Sequence, residues 1–459
     1  MNRAEYLFEQ AVMAIRAGRR DDASDMLAEV IRLNPQHCEA WGLRGRLESE
    51  AGRAFNAMLH HGFSTQIQPD NAGVWINRGI DAMGARMYKE AEESFQRSLA
   101  IQETYEGHYG YGNLLSDMMR IDESVAHFKA AEKIGGVLNP QIYANLGIAL
   151  IGQGKWKEGF GFYRHRFNAP GFPPRPRFNY PIWHGEDLAG KTILLYVEQG
   201  LGDEILSLRF ALPIIRKAKH TIVSVRPPML RLARTFAETV GLGEGLILQY
   251  DEPPWPPDYM CALLDVPAWI DFDPVPGGLP LSHGYLARED RGYDLQFSPG
   301  LKVGICWASG KRELQPAVHE IAKLKSLTLK QLLPLKRDRV VLINLQKDHN
   351  ERDALRDNGI SDPMAGVTDL ADTAWIIDQL DLVVTVDTAV AHIAGALGKP
   401  VWNLVRFNAM WPWMQESNKT CWYDSMRIYR QSAPFDWSDP LRRLMADFDG
   451  LVGQEAQAA

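Results

Sequence analysis

The chain has 459 residues, 46% of them hydrophobic and 23% charged, and a formal net charge of -7. That length exceeds what one hydrophobic core usually serves, so two or three domains of an ordinary soluble, globular composition are expected. The negative balance argues against nonspecific binding to nucleic acid, and no apolar run reaches the ~18 residues of a membrane span.

The first segment, MNRAEYLFEQAVMAIRAGRR, mixes acids and bases through an amphipathic pattern and lacks the unbroken apolar stretch of a signal peptide, which predicts a cytoplasmic protein. From there the sequence repeats. Trp41 and Trp75, Gly45 and Gly79, and Ala57 and Ala91 are each 34 residues apart, and Pro35 precedes Pro69 in the same phase. Gly112 and Gly147 continue the glycine slot, and Phe128 and Tyr163 the aromatic one, so five repeats fit between Ala4 and Phe167. Small residues let two helices approach, aromatics fill the next gap and proline ends the second helix, which predicts a solenoid of antiparallel helix pairs. The pattern resembles the tetratricopeptide repeat, with departures: Glu103 stands in the third repeat's proline slot, and the fourth repeat lacks that proline. The resemblance implies a concave surface for a protein partner, with Tyr105, His108 and Tyr109 as candidates to line it. A spacer, or an assembly arm that makes a homo-oligomer, is the alternative.

After Phe167 the stretch NAPGFPPRPRFNYPIW holds five prolines in sixteen residues and reads as an extended connector, placed at 168–190. Two series of short apolar strands alternating with helical segments follow, at 191–290 and 291–459. This alternation predicts two parallel sheets with right-handed crossovers, hence two Rossmann-like domains. The overall expectation is an α-solenoid at 1–167 followed by an α/β pair.

The first series opens with LLYVEQGLGDEILSLRFALP, a strand, a glycine loop and a helix. Only Gly200 and Gly202 of a dinucleotide fingerprint are present, and the next strand ends at Arg226 without the acid that a ribose would need. The lysine and serine or threonine of a nucleotide triphosphatase loop are also missing. What remains is a tight turn carrying Asp203 at the carboxyl edge of a sheet, either as a helix cap or as a chemical group.

In the second series, LDLVVTVDTAVAHIAGALGKPVWNLV is a β-branched strand followed by a helix of small residues. Unpaired N–H groups and the positive end of the helix dipole make Asp387, Thr388 and Ala389 a seat for phosphate. His392, one turn in, is either a buried histidine or a ligand contact. The loop ASGKRELQPAVHEIAKLKSL adds the cations Lys311, Arg312, Lys323 and Lys325.

These two stretches resemble the signature regions of the glycosyltransferases related to bacterial heptosyltransferases, which have the two-domain GT-B fold. The subgroup fused to tetratricopeptide repeats, which includes proteins implicated in flagellin glycosylation, is the nearest in kind. The resemblance implies that Asp203 is the base that activates an acceptor hydroxyl. It also implies that Gly200, Gly202, Lys311, Arg312, Lys325, Asp387, Thr388, Ala389 and His392 surround a nucleotide-sugar donor. Two departures stand out: Ala389 replaces a glycine, and Lys325 stands where relatives carry an arginine that can grip phosphate with two hydrogen bonds. The expected function is inverting, metal-independent transfer of a sugar to a serine or threonine of an acceptor protein such as flagellin, with no cofactor besides the donor. Transfer to a lipid or saccharide, or an inactive scaffold, are the alternatives.

A metal-dependent transferase would need a D-x-D pair. Asp271 with Asp273, and Asp447 with Asp449, match those letters without following a convincing strand. Trp411, Trp413, Trp422 and Tyr423 are expected to be core. The four cysteines, Cys38, Cys261, Cys306 and Cys421, lack metal or disulfide spacing and are expected as buried small apolar residues.

Overall fold

A computed structural model describes residues 2–135, 139–172, 175, 178–240, 246–249, 253, 255–270, 283–310, 321–409, 411–413 and 418–458, with the backbone alone at 246–249 and 455–458. The chain divides into two compact units, Met1–Ala149 and Leu150–Ala459.

The first unit is a run of antiparallel helix pairs: α1 (Arg3–Arg16) with α2 (Arg20–Leu33), α3 (Cys38–Glu50) with α4 (Ala54–Ile67), α5 (Ala72–Gly84) with α6 (Tyr88–Ile101), and α7 (Tyr105–Asp117) with α8 (Ile121–Gly135). The 34-residue period is visible in single bonds. Trp41 Nε1 donates to the Pro35 carbonyl at 3.0 Å and Trp75 Nε1 to that of Pro69 at 2.9 Å. Ser64 Oγ likewise donates to the Cys38 carbonyl and Ser98 Oγ to that of Ala72. The glycine slot is filled from the facing helix. A Cβ on Gly79 would lie 2.9 Å from the Phe95 ring, and one on Gly112 2.8 Å from Phe128, so any larger residue would force the pair apart.

The fifth repeat consists of α9 (Pro140–Gly152) and α10 (Trp156–Tyr163), followed by a 3₁₀ turn at Arg164–Asn168. The sequence reading ends the solenoid at Phe167, whereas the compact units part at Ala149 and Leu150. The reason is packing: α10 lies against the turn Leu263–Ala268 of the α/β unit, with Phe160 edge-on to Phe210 and Trp156 edge-on to Trp422.

The second unit contains two parallel sheets. The strands β1 (Thr192–Tyr196), β2 (His220–Ser224), β3 (Leu246–Gln249) and β4 (Tyr259–Ala262) lie in the order β3-β2-β1-β4. The strands β5 (Leu301–Cys306), β6 (Val340–Asn344), β7 (Leu382–Val386), β8 (Val401–Val405) and β9 (Met426–Arg430) lie in the order β6-β5-β7-β8-β9. β1 and β7 are buried at every position, as strands covered on both faces must be, which explains why all but one residue in each is apolar or aromatic. With crossover helices on the sheets, the architecture is that of a GT-B-like α/β protein.

Three elements escaped the sequence reading. β3 and β4 lie beside and within 251–284, a second proline- and glycine-rich stretch, between the two series, whose sequence reads as irregular, and β9, MRIYR, follows the tryptophan cluster. The single helix read in EILSLRFALPIIRKA is broken into α11 (Leu201–Leu208) and α12 (Ala211–Ile215). Pro213 has no N–H to give Arg209, four residues back, and its ring crowds that carbonyl.

Candidate active site

Two helices begin at the carboxyl edges of the central strands of the two sheets. One is α11, after β1. The other, after β7, is α17 (Ala389–Ala396), counting α13 (Leu230–Thr239), α14 (Leu329–Leu332), α15 (Arg352–Asp357) and α16 (Leu370–Asp378) in between, with α18 (Ser438–Ala458) closing the chain. α11 and α17 pack on each other, and the fit at Gly202 is tight: a Cβ there would stand 2.6 Å from Cδ2 of His392 and 3.1 Å from its Nε2. The second glycine of the loop is therefore required by the neighbouring domain's histidine. This contact brings Gly200, Gly202 and Asp203 together with Asp387, Thr388, Ala389 and His392.

Gly200 is the N-cap of α11 and Asp203 its third residue, not the cap itself. Asp203 Oδ2 reaches back to accept the Gly200 N–H at 3.0 Å. The two glycines thus shape the loop, and the Gly200 N–H is already engaged. The next acid, Glu204, has a different fate. It is fully buried and accepts from the Arg226 backbone N–H at 2.9 Å and from Arg226 Nε at 2.8 Å, tying α11 to the end of β2. Burial pushes its carboxyl up, with Arg226 opposing.

At the facing edge, Thr388 is the N-cap of α17 but does not cap it with its side chain. Its hydroxyl lies 3.2 Å from that of Thr385 and 3.8 Å from Cys306 Sγ. The neighbouring α16 is capped conventionally, Asp369 accepting from Ala371 and Asp372. The first turn of α17 thus lacks a side-chain cap from Thr388, while the Ala391 N–H is taken by the Thr388 carbonyl at 3.1 Å.

Asp387 and Lys325 form an ion pair at 3.5 Å, both side chains roughly three-quarters covered. Burial pushes the Asp387 carboxyl up, but Lys325, His392 and Trp413 outweigh it and hold the carboxyl below its usual range. His392 is buried, its Nδ1 2.9 Å from the Tyr423 hydroxyl and its ring 4.9 Å from that of Trp413. Burial lowers its pKa to about 4 against the pull of Asp387, so at neutral pH it is an uncharged hydrogen-bonding group.

Lys311, Arg312, Asp271 and Asp273 lie outside the described residues. Asp447 is bonded to the Tyr429 hydroxyl and Arg427, and Asp449 to Arg337, so both belong to the anchoring of α18. Trp413, Trp422 and Tyr423 are buried core, as expected, whereas Trp411 is only half-buried, edge-on to Trp422. All four cysteines are free; three are buried and Cys421 is half-buried.

The sequence reading missed Arg209, which lies five residues past Glu204 in the same quoted stretch and is fully buried. It donates to the Trp422 carbonyl at 2.6 Å and to the Tyr285 hydroxyl at 3.2 Å, while that hydroxyl donates to the Ile205 carbonyl. A guanidinium with no acid at helical spacing was the only signal for such a role.

In the repeat unit, α1, α3 and α5 line a hollow of about 530 Å³, and α5 and α7 another of about 510 Å³, with the half-exposed Ile80 shared by both. Tyr109 lines the second, bonded to Asn145 at 3.1 Å. His108 is buried and paired through Nδ1 with Nδ1 of His127 at 2.8 Å, and Tyr105 is exposed.

Among known proteins, residues 331–407 match Glycosyltransferase family 9 (heptosyltransferase), a span that includes the β7–α17 turn. Protein FlbA of Caulobacter vibrioides is 23% identical over 466 residues, covering 93% of this chain and 69% of that protein. Among solved structures, a MamA protein superposes with a TM-score of 0.33 at 16% identity, over 36% of this chain and 90% of that one. YrrB, a TPR protein with an unusual peptide-binding site, superposes at 0.31 and 13% identity, over 35% of this chain and 84% of its own. The repeat architecture of this chain rests on its own helix pairs and their recurring bonds.

Proposed function

From a family 9 glycosyltransferase domain joined to tetratricopeptide-type repeats, we propose an inverting transferase that moves a sugar from a nucleotide-sugar donor to a hydroxyl of an acceptor protein held by the repeats. The observation that carries this reading is the Gly202–His392 contact, which seats the Asp203 turn beside the uncapped start of α17. The donor's phosphates rest on the N–H groups of α17, near Ala389, with Lys325, paired to Asp387, as a cation beside them. Asp387 acts as counter-ion to Lys325, since a carboxylate would repel phosphate directly. As the acceptor hydroxyl attacks the anomeric carbon, Asp203 takes its proton and the nucleotide leaves with growing negative charge. Helix N–H groups and lysine stabilise that charge, so no metal or further cofactor is called for in this reading. The resemblance of the two motifs to flagellin-modifying fusions makes flagellin the first acceptor to try, with the hollows along α1, α3, α5 and α7 as its docking surface and a cytoplasmic setting.

The test is Asp203→Asn. Asparagine can still accept the Gly200 N–H through its amide oxygen, so the turn survives while the base is lost. Nucleotide binding, read from a thermal shift, should stay near wild type, and transfer should fall by at least ~100-fold. Near-normal turnover would assign Asp203 to the turn alone.

A further inference from the structure

The loop that carries Asp203 is held from outside its own sheet. Glu198, at the end of β1, is bound by Arg166, whose Nε lies 3.1 Å from Glu198 Oε2 and whose Nη1 reaches Asp265 at 2.6 Å. Arg166 is fully buried and also donates to the Tyr163 carbonyl at 3.0 Å. Gln199 has φ of 63°, a left-handed conformation uncommon for a residue with a side chain, and its amide donates to the Tyr163 hydroxyl. Gly200 is then held by Asp203. Three consecutive residues thus have one anchor each, and two of the anchors belong to α10 and the turn after it, the last segment of the fifth repeat. Tyr163 is itself buried, and α10 is fixed against the Leu263–Ala268 turn, so the tether has a rigid base.

The geometry points to Tyr163 and Arg166 as positioning residues of the transferase: the end of the helical array holds the β1–α11 loop in the left-handed turn from which Asp203 can act. This deepens the reading above and rests on it for the role of Asp203. Without the Tyr163 hydroxyl, Gln199 loses the bond that accompanies its left-handed backbone, and the loop can relax to a form in which Asp203 no longer points at the acceptor. Glycine adopts positive φ readily, so it can hold the same turn without a tether.

The experiment uses the full chain and three proteins: wild type, Tyr163→Phe, and Tyr163→Phe with Gln199→Gly. Hydrogen exchange of the amides in 198–204 and steady-state transfer are measured on each. Tyr163→Phe should speed exchange at Gly200 and lower kcat by about 10- to 100-fold with the donor KM little changed, since only the geometry of attack is disturbed. The added glycine should bring kcat back to within about threefold. A tyrosine that only packs would leave exchange and kcat as in wild type, and that result would overturn the proposal, as would a loss of kcat that glycine does not repair. If wild type transfers to no acceptor, the function reading fails, but the exchange comparison still decides whether the tether holds the loop.

Discussion

At the scale of single residues, the same side-chain chemistry serves different ends according to what surrounds it. Asp203 and Glu204 are adjacent acids. Glu204 is buried and spent on Arg226, while Asp203 sits in the first turn of a helix facing another helix start. His392 shows burial setting protonation. Its folded pKa lies at about 4 against an ordinary 6.5, so between those values the unfolded chain binds the proton and the folded one does not. Stability from this group is complete above pH 6.5 and is lost as pH falls toward 4, a difference of ~3 kcal/mol. His392→Asn should therefore show a flatter dependence of melting temperature on pH than wild type between pH 6.5 and 4. Parallel curves would mean that His392 titrates normally.

At the scale of elements, the pair α11 and α17 is the centre of the candidate site. Gly202 permits the contact, and His392 cannot step aside because Tyr423 and Trp413 hold it. Gly202→Ala should destabilise the second unit by ~1–3 kcal/mol through overpacking and depress transfer as well. If the clash is the cause, His392→Ala in the same chain should recover part of the loss, giving a coupling of 0.5 kcal/mol or more in a double-mutant cycle of denaturant melts, on the scale of ~0.5–3 kcal/mol seen for contacting residues. Additive effects would place the cost in the Gly200–Asp203 turn instead. The repeats obey the same rule on a smaller scale, where Gly79 and Gly112 admit the aromatic rings of the facing helices.

At the scale of the whole molecule, the boundaries of repetition and of folding do not coincide. The fifth repeat begins as sequence repetition, yet its last helix and turn belong to the α/β unit. The buried cluster of Arg166, Glu198 and Asp265 is the fastening. Removing the cation leaves two buried carboxylates together, so Arg166→Met should cost ~3–5 kcal/mol in denaturant unfolding. Burial already pushes Glu198 up to about 7, and the loss of Arg166 raises it further. The penalty should therefore grow as pH rises through 7 and shrink below it, where Glu198 holds its proton. A loss independent of pH would show that packing around Arg166, and not its charge, is what matters.

Much of this was legible in the amino-acid sequence, because local order leaves a period. A 34-residue recurrence of tryptophan, glycine and proline is enough for helix pairs, and alternation of apolar strands with helical runs is enough for parallel sheets. Helix starts after β1 and β7 could likewise be read from glycine and small residues, and with them Asp203 and the Asp387–His392 turn. The rest depended on contacts between residues distant in the chain. Arg166 and Asp265 are 99 positions apart, and Arg209 and Trp422 are 213 apart. No periodicity records such pairings, since Arg166, Asp265 and Arg209 are each of a type ordinarily found at the surface, and their burial is decided by the packing of other elements. The reason for Gly202 is of this kind. Its position in a tight loop was plain from the sequence, but the histidine ring that makes it necessary comes from the other sheet, and only folding brings the two together.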